Sequence, residues 1–369
     1  MKLPLRILKK KFVFKTIKKV DLVIFGHDKF NFDKKIKHSY YKSNEINLKY
    51  FFQFVFNYFC NFFKKKNLSI AETYLCTLLK YYDCKIVLGN DRDQGIFKVK
   101  KLFPNKISIA YQFGYWFDEL IKLGQDVIKN KIVDHYCIFD LRTKKLSEEI
   151  ITSNFYITGS VSSNEKILPI KEKKYDFMFI SNYRSKIALG SESLMKCSAY
   201  MLSRLSDFCE MNSKTFCIAR VSSRKDKKKY SHFLKKEEEF FLKKYAKNYF
   251  LEDIDSFELA NLSKVSVCTH SNLGYQLLAR GNKVLFLNTD KDIYKWHFIT
   301  NKTGLFWYKG ENPKEIYEKF HSILNMGNDE WKSHLTNSSV PLTFDRGNKF
   351  LKNLILKNLD KSSTSEPSH

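Results

Sequence analysis

The sequence predicts an α/β chain made of two doubly wound, parallel-sheet domains. Short apolar runs that end in Gly or small polar residues recur along it, with helical stretches between them. The alternation is interrupted once, at residues 165–174 (EKILPIKEKK), and then restarts. At 369 residues, with 43% hydrophobic content, 33 Phe and 21 Tyr, the chain exceeds one ordinary core and holds apolar material for two.

The first strand is expected at residues 20–26 (VDLVIFG), a buried run closed by Gly. A polar stretch leads to an aromatic helix at residues 48–63. A second helix follows at 69–82 (SIAETYLCTLLKYY), with Ser69 and Glu72 spaced as a capping box. Strands are then expected at 85–91 (KIVLGND), 106–114 (KISIAYQFG), 134–140 (DHYCIFD) and 154–160 (NFYITGS). Beyond the interruption, strands are expected at 174–183, 214–221, 264–270 and 283–289. Helices are expected at 191–212, 234–247, 256–263 and 271–281, the last closed by Gly281. The domains expected from this pattern are 1–165 and 172–345, with a C-terminal helix and disordered tail at 346–369. Ligands of such sheets bind beyond the carboxyl ends of strands. That directs attention to Gly89–Asp93, Gln112–Trp116 and Gly159–Asn164 in the first half.

The net charge of +26 comes mostly from lysine, since only nine of the 65 basic residues are Arg. Readers of nucleic acid favour the planar Arg fork, and the lysines here are spread along the chain, so no nucleic-acid partner is expected. A basic surface still attracts anionic nucleotides and anionic membrane. Eight cysteines stand singly without C-x-x-C spacing, which reads as reduced thiols of a cytoplasmic protein. The N-terminal stretch interleaves lysines where a signal peptide needs an uninterrupted apolar run. The most lipid-like segment is Tyr50 to Phe63, YFFQFVFNYFCNFF, followed by Lys64, Lys65 and Lys66. Its fourteen residues fall short of the roughly 20 that span a bilayer. It reads as a buried aromatic helix, with interfacial docking at the inner membrane face as the alternative.

The sharpest motif runs from Val267 to Phe286, VCTHSNLGYQLLARGNKVLF. A strand enters a turn with Ser271, Asn272 and Gly274, where a helix begins. Backbone N–H groups and the helix dipole make such a start a seat for phosphate. Gly274 would admit a phosphate close to the backbone, and Tyr275 and Gln276 could reach sugar or ribose hydroxyls. An ordinary strand–helix–strand unit with a packing glycine is the other reading.

This segment resembles the S-T-L-G-Y-E-x-L-x-R-G-x-K block of bacterial surface-carbohydrate (capsule and LPS) biosynthesis proteins, a GT-B-like group of glycosyltransferases. Ser271, Leu273, Gly274, Tyr275, Leu278, Arg280, Gly281 and Lys283 match, while Asn272 and Gln276 replace Thr and Glu. Further stretches are similar in the same order: 86–116, 133–140 with 156–164, 177–185 and 303–310. The resemblance covers about residues 80–310. It implies two Rossmann-like domains facing across a cleft, the first binding acceptor and the second the nucleotide donor. No His-Pro motif of the kind several CMP-sugar transferases use is present.

In that light Asp91, Asp93 and, one turn beyond the next strand, Asp118 are the candidate catalytic carboxylates, as base or nucleophile. A helix N-cap or a solvated turn would equally explain Asp91 and Asp93. Gln112, Gly114 and Tyr115 could line the acceptor side. Ser181 belongs to the F-I-S-x-Y strand that opens the donor domain in the resemblance. Arg184, Arg220 and Arg224 lie at or after strand ends, where an anionic donor would rest. His270 precedes the phosphate turn and could bind donor or serve the structure. Glu237, Glu238 and Glu239 read as a solvated ion-pairing face.

The expected function is transfer of a sugar from a nucleotide sugar to a glycan or lipid-linked acceptor. No cofactor is expected, and the metal requirement stays open, the Asp91/Asp93 D-x-D being weak evidence. The alternatives are a CDP-polyol glycerophosphotransferase of the teichoic-acid type and a non-catalytic, basic nucleic-acid or membrane-surface binding protein. A family member that binds donor but turns it over poorly is a further option, which Gln276 raises.

Overall fold

The computed structural model describes residues 11–26, 28–42, 45–63, 68–116, 131–169, 171–183, 191–220, 227–289, 296–338, 340 and 343–363. The chain divides into two units. The first comprises Met1–Phe113, Gln125–Glu165 and Asp345–His369; the second comprises Gly114–Gly124 and Lys166–Phe344.

In the first unit β1 (Lys11–Val13) and β4 (Glu45–Asn47) form a two-stranded parallel ribbon. The main sheet holds β2 (Leu22–Phe25), β3 (His38–Tyr41), β5 (Ile86–Asn90), β6 (Ile107–Tyr111), β7 (Lys131–Ile138) and β8 (Ile151–Ile157). Its order is β3-β2-β5-β6-β7-β8, every pair parallel. Strands covered on both faces need continuous apolar sequence, and Leu22, Val23, Ile24 and Phe25 are each 0% exposed. Alternate residues then serve opposite sides. Leu22, Ile24, Ile86, Leu88, Ile109 and Tyr111 share one core cluster.

The aromatic helix α1 (Phe51–Phe63) and α2 (Ile70–Tyr82) precede β5, and α3 (Ile96–Leu102) and α4 (Leu141–Glu148) follow β5 and β7. The Ser69/Glu72 capping box forms as the sequence indicates: the Glu72 N–H donates to Ser69 Oγ at 3.2 Å and the Ser69 N–H to Glu72 Oε2 at 2.8 Å. The expectation for α1 is overturned, because it is not a buried helix. One side packs on α2 while Phe52, Phe56, Phe59 and Phe63 face solvent. β3 and β4 arise within the stretch that reads as polar, and β1 in the lysine-interleaved N-terminal stretch; β1 and β3 are only partly covered, whereas Ile46 and Asn47 of β4 are buried.

The C-terminal helix Lys349–Ser363, set apart in the sequence, belongs to the first unit and adds Leu351, Leu354 and Ile355 to its core. Asn348, in the left-handed region at φ 53°, starts it and donates from Nδ2 to the Val161 carbonyl and to Glu165 Oε2, both at 2.9 Å. Residues 364–369 of the expected tail lie outside the described residues.

The second unit carries β9 (Tyr175–Ile180), β10 (Phe216–Ala219), β11 (Ser263–Cys268), β12 (Val284–Asn288) and β13 (Trp307–Lys309) in the parallel order β10-β9-β11-β12-β13. Its helices include α5 (Ser191–Met211), α6 (Lys227–Glu237, continued by a π-helical turn at Glu238–Leu242), α7 (Asn272–Ala279) and α8 (Pro313–Asn325). Phe208 of α5 and Phe320 of α8 meet Phe177 of β9 with ring centroids 5.9 and 5.5 Å away, near perpendicular. Both units therefore carry the doubly wound parallel sheet that the alternating pattern predicts. All eight cysteines are free thiols, six of them buried.

Leu351→Ala and Ile355→Ala should each cost about 2–5 kcal/mol by urea denaturation, because both side chains are fully enclosed. Leu356→Ala on the outer side of the same helix, 36% exposed, should cost clearly less, about 1 kcal/mol.

Candidate functional site

In a doubly wound sheet the first strand's two neighbours are reached by crossovers on opposite faces, leaving an open crevice at the carboxyl ends. The strand orders put this point between β2 and β5 in the first unit and between β9 and β11 in the second.

In the first unit the crevice is edged by Gly26 after β2 and by the Asn90–Gly95 turn after β5. Gly26 sits at φ +106°, and a Cβ there would stand 3.3 Å from Asn90 Nδ2, so the backbone approach requires glycine. Asn90 Oδ1 accepts from the Arg92 and Asp93 N–H groups at 3.1 and 3.2 Å and shapes the turn.

The two candidate carboxylates separate here. Asp91 is buried and acts as a brace: Oδ1 accepts from the Phe113 N–H at 3.1 Å and Oδ2 from the Tyr136 hydroxyl at 2.9 Å. Asp93 is half-buried, and Oδ1 accepts from the Gly95 N–H at 3.0 Å. Burial raises its pKa above the usual carboxylate value, opposed by the Gly95 hydrogen bond. Its charge reaches Tyr41, whose phenol is pushed up first by burial and then by Asp93. Gln112, expected to line an acceptor site, is instead fully buried: its N–H donates to the Cys137 carbonyl and its Oε1 accepts from the Phe139 N–H, both at 2.8 Å. It ties β6 to the end of β7. Arg92, which the sequence reading passed over, lies exposed with its guanidinium 4.3 Å from the Phe113 ring centroid. The scarcity of arginine was the signal for it. Asp118 lies outside the described residues.

In the second unit the crevice gathers Ser181 and Asn182 after β9 with Thr269, His270 and Ser271 after β11. Asn182 Nδ2 donates to Thr269 Oγ1 at 2.5 Å across the strand ends. His270, 8% exposed, has Nε2 2.7 Å from Asn288 Nδ2 at the end of β12. Ser271 caps α7, its Oγ accepting from the Leu273 N–H at 3.3 Å. Gln276, the fifth residue of that helix, is half-exposed.

Several motif residues take structural roles instead of the expected ligand contacts. A Cβ on Gly274 would stand 2.6 Å from Cys268 Sγ and 2.8 Å from its Cβ, so this glycine seats α7 on β11. Tyr275 is 2% exposed, its ring parallel to Trp296 at 6.0 Å, and is core. Gly114 and Tyr115 belong to this unit and not to the first. Asn272 Oδ1 accepts from the Tyr115 N–H at 2.9 Å, and a Cβ on Gly114 would meet Asn272 Nδ2 at 2.7 Å. The Tyr115 hydroxyl meets His297 Nδ1, and its ring lies 4.7 Å from Trp296. Arg280 is drawn inward: Nη1 donates to the Lys166 carbonyl at 2.9 Å while the guanidinium covers Phe257 and Phe344, and burial lowers its pKa to about 10.

Glu237 is the residue that sequence reasoning assigned to a solvated face and the structure buries. It is 0% exposed; Oε1 accepts from Ser181 Oγ at 2.6 Å and Oε2 faces Arg220 Nε at 3.3 Å. Arg220 Nη2 also donates to the Leu234 carbonyl at 2.5 Å. Ser181 and Arg220, expected on the donor, are thus held to this buried carboxylate at the crevice edge. The signal was spacing, since Glu237 stands four residues from both Phe233 and Phe241. Arg184 and Arg224 lie outside the described residues. Among the described residues no group of three or more His, Cys, Asp or Glu side chains is placed to hold a metal ion.

Two doubly wound units with polar crevices at their strand ends define a chain of GT-B type. Residues 117–359 match the model of a family described as "putative O-antigen biosynthesis protein", and the chain belongs to that family. No curated protein matches the sequence. In structure the chain is similar to the putative UDP-N-acetylglucosamine 2-epimerase from Listeria monocytogenes, with TM-score 0.53 and 12% identity over 95% of this chain and 98% of that one. It is also similar to the UDP-GlcNAc 2-epimerase from Neisseria meningitidis bound to UDP-GlcNAc (TM-score 0.49, 13% identity, 89% and 86% covered). The wall teichoic acid polymerase TagF follows at TM-score 0.49 and 8% identity, 95% and 91% covered. At these identities the first likeness speaks for the fold, and the other two carry no argument.

Glu237→Ala should cost about 1–3 kcal/mol in chemical denaturation by leaving the buried Ser181 hydroxyl without its acceptor and Arg220 with only Glu238, 3.6 Å away, as its carboxylate, with Glu237→Gln costing less. Asp93→Asn should be more stable than wild type at neutral pH. The raised native pKa means that ionised Asp93 opposes folding above that pKa, so the difference should shrink on acidification and vanish below the unfolded carboxylate value of about 4. Thermal melts of both proteins across pH check the sign.

Proposed function

We propose that the chain is a glycosyltransferase that moves a sugar from a nucleotide-activated donor to a surface-polysaccharide or lipid-linked glycan acceptor. The observation that carries this reading is the set Asn182, Thr269, His270, Ser271 and Gln276 at the β9/β11 crevice, beside the capped start of α7. Its backbone N–H groups and dipole suit a nucleotide's phosphates. Membership of an O-antigen biosynthesis family supports a carbohydrate product. In this reading the second unit takes the donor, and Gln276 offers its carbonyl oxygen to a ribose hydroxyl where the related block has Glu.

The first unit takes the acceptor, and Asp93 is the proposed base. Burial brings its pKa closer to neutral, where a carboxylate removes a proton from an attacking hydroxyl more effectively. Asp91 holds the turn that presents it. The oxygen that loses its proton attacks the anomeric carbon, and the nucleoside phosphate leaves with the bonding pair. The protein is proposed to work in the cytoplasm, at the inner face of the membrane where a lipid-linked acceptor would lie.

A thermal-shift panel of UDP, GDP, CDP, CMP and dTDP, with and without a divalent cation, tests the donor site. One nucleotide should stabilise selectively, by about 2.7 kcal/mol at a hundredfold excess over its Kd. Gln276→Ala should weaken that response without lowering the unliganded Tm by more than about 0.5 kcal/mol equivalent. A flat panel would sink the reading. So would conversion of a nucleotide sugar to its epimer in the absence of any acceptor.

A further inference from the structure

The outer side of α1 carries a row of solvent-exposed rings. Phe52, Phe56, Phe59 and Phe63 are 85%, 63%, 54% and 77% exposed, and their spacing places them in one stripe. The inner side is already committed: the Phe54 ring stands edge-on to Tyr74 at 5.4 Å, and Asn57 Nδ2 donates to Thr77 Oγ1 at 3.0 Å. The helix is therefore held with its phenylalanines outward.

β1 and the segment after it adjoin the start of this helix. Lys49 Nζ donates to Thr16 Oγ1 and the Ile17 N–H to the Tyr50 hydroxyl, both at 2.8 Å. That segment adds Phe12 and Phe14, also exposed. Eight of the twenty exposed large apolar residues among those described fall between Phe12 and Phe63, a concentration beyond ordinary surface scatter.

Charge identifies the occupant. The same segment lines a cavity of about 600 Å³ in the first unit, whose wall carries Lys15, Lys18, Lys29 and Lys42. Among the described residues of that wall Glu45 is the one carboxylate, 3.5 Å from both Lys15 and Lys42, so positive charge is in excess there. Helix α1 itself contains no charged residue. A lipid surface satisfies both features, with rings at the acyl boundary and lysines at phosphate level. At thirteen residues α1 is about 20 Å long and can lie on a bilayer but not span it.

We propose that α1 and β1 form a docking site for an anionic phospholipid surface, with the phenylalanine stripe entering the acyl boundary and the lysine-lined cavity receiving a lipid phosphate. The idea deepens the acceptor half of the proposed function and rests on it for its biological sense, while nucleotide binding is measured separately so that the two fail independently.

The test is co-sedimentation of the full chain with vesicles of phosphatidylcholine alone and of phosphatidylcholine with phosphatidylglycerol. Wild type should bind the second, less so in high salt. Phe52→Ser with Phe56→Ser should lower the partition about a hundredfold, since each ring contributes roughly tenfold. Lys15→Gln with Lys18→Gln should lower it about fivefold per lysine. Nucleotide-induced stabilisation should be the same in all three proteins. Wild type remaining in the supernatant with anionic vesicles would overturn the proposal, as would Phe variants that bind like wild type. A dimer by light scattering that the Phe pair converts to monomer, without vesicle binding, would assign the stripe to self-association instead.

Discussion

A parallel strand whose two neighbours are reached by crossovers on opposite faces is left uncovered at its carboxyl end, because neither crossover can close the gap. Both units of this chain are built around such a strand, β2 in the first and β9 in the second. The polar residues proposed to serve each unit's chemistry are those that this geometry delivers to the gap. Asn90, Asp91 and Asp93 stand at the first, and Ser181, Asn182, Thr269, His270 and Ser271 at the second. The remaining architecture keeps these strand ends in place.

Much of the motif chemistry proves to be scaffolding. Gly274 lets α7 seat on Cys268, Tyr275 joins the aromatic core around Trp296, and Arg280 holds the Lys166 carbonyl from a half-buried position. Glu237 restrains Ser181 and Arg220. These contacts are internal, yet they fix where the start of α7 and the end of β9 stand. The proposed phosphate seat, made of backbone N–H groups, would have no side chain to adapt with, so its precision would come from such neighbours. In the first unit Asp91 has the same relation to Asp93, bracing the Phe113 N–H and the Tyr136 hydroxyl while the second carboxylate remains partly open.

The uneven surface of the first unit follows from the same economy. Its sheet is covered by helices on both faces, and α1 packs on α2, outside that layer. It is apolar on both sides but covered on only one. An aromatic run without charge reads as core because burial is the usual way to remove such surface from water. What left the stripe open was the position of the helix in the stack of layers, which composition does not encode.

Local pattern determined the elements that depend on local physics. Apolar runs ending in Gly became β2 and β5, Ser69 and Glu72 closed their capping box, and Gly281 ended α7 in the left-handed region at φ +85°. The alternation of strand and helix determined the parallel class, because strands bridged by helices return in the same direction. Tertiary structure alone decided which side of each polar residue faced a void. Asp91 and Asp93 are chemically identical and two positions apart, and only the packing of β6 and β7 made one a brace and the other a half-open, desolvated acid. Glu237 and Glu239 differ in the same way, one enclosed with Arg220 and the other at the surface. Secondary structure is written by neighbours in sequence, whereas burial and pKa are set by neighbours in space.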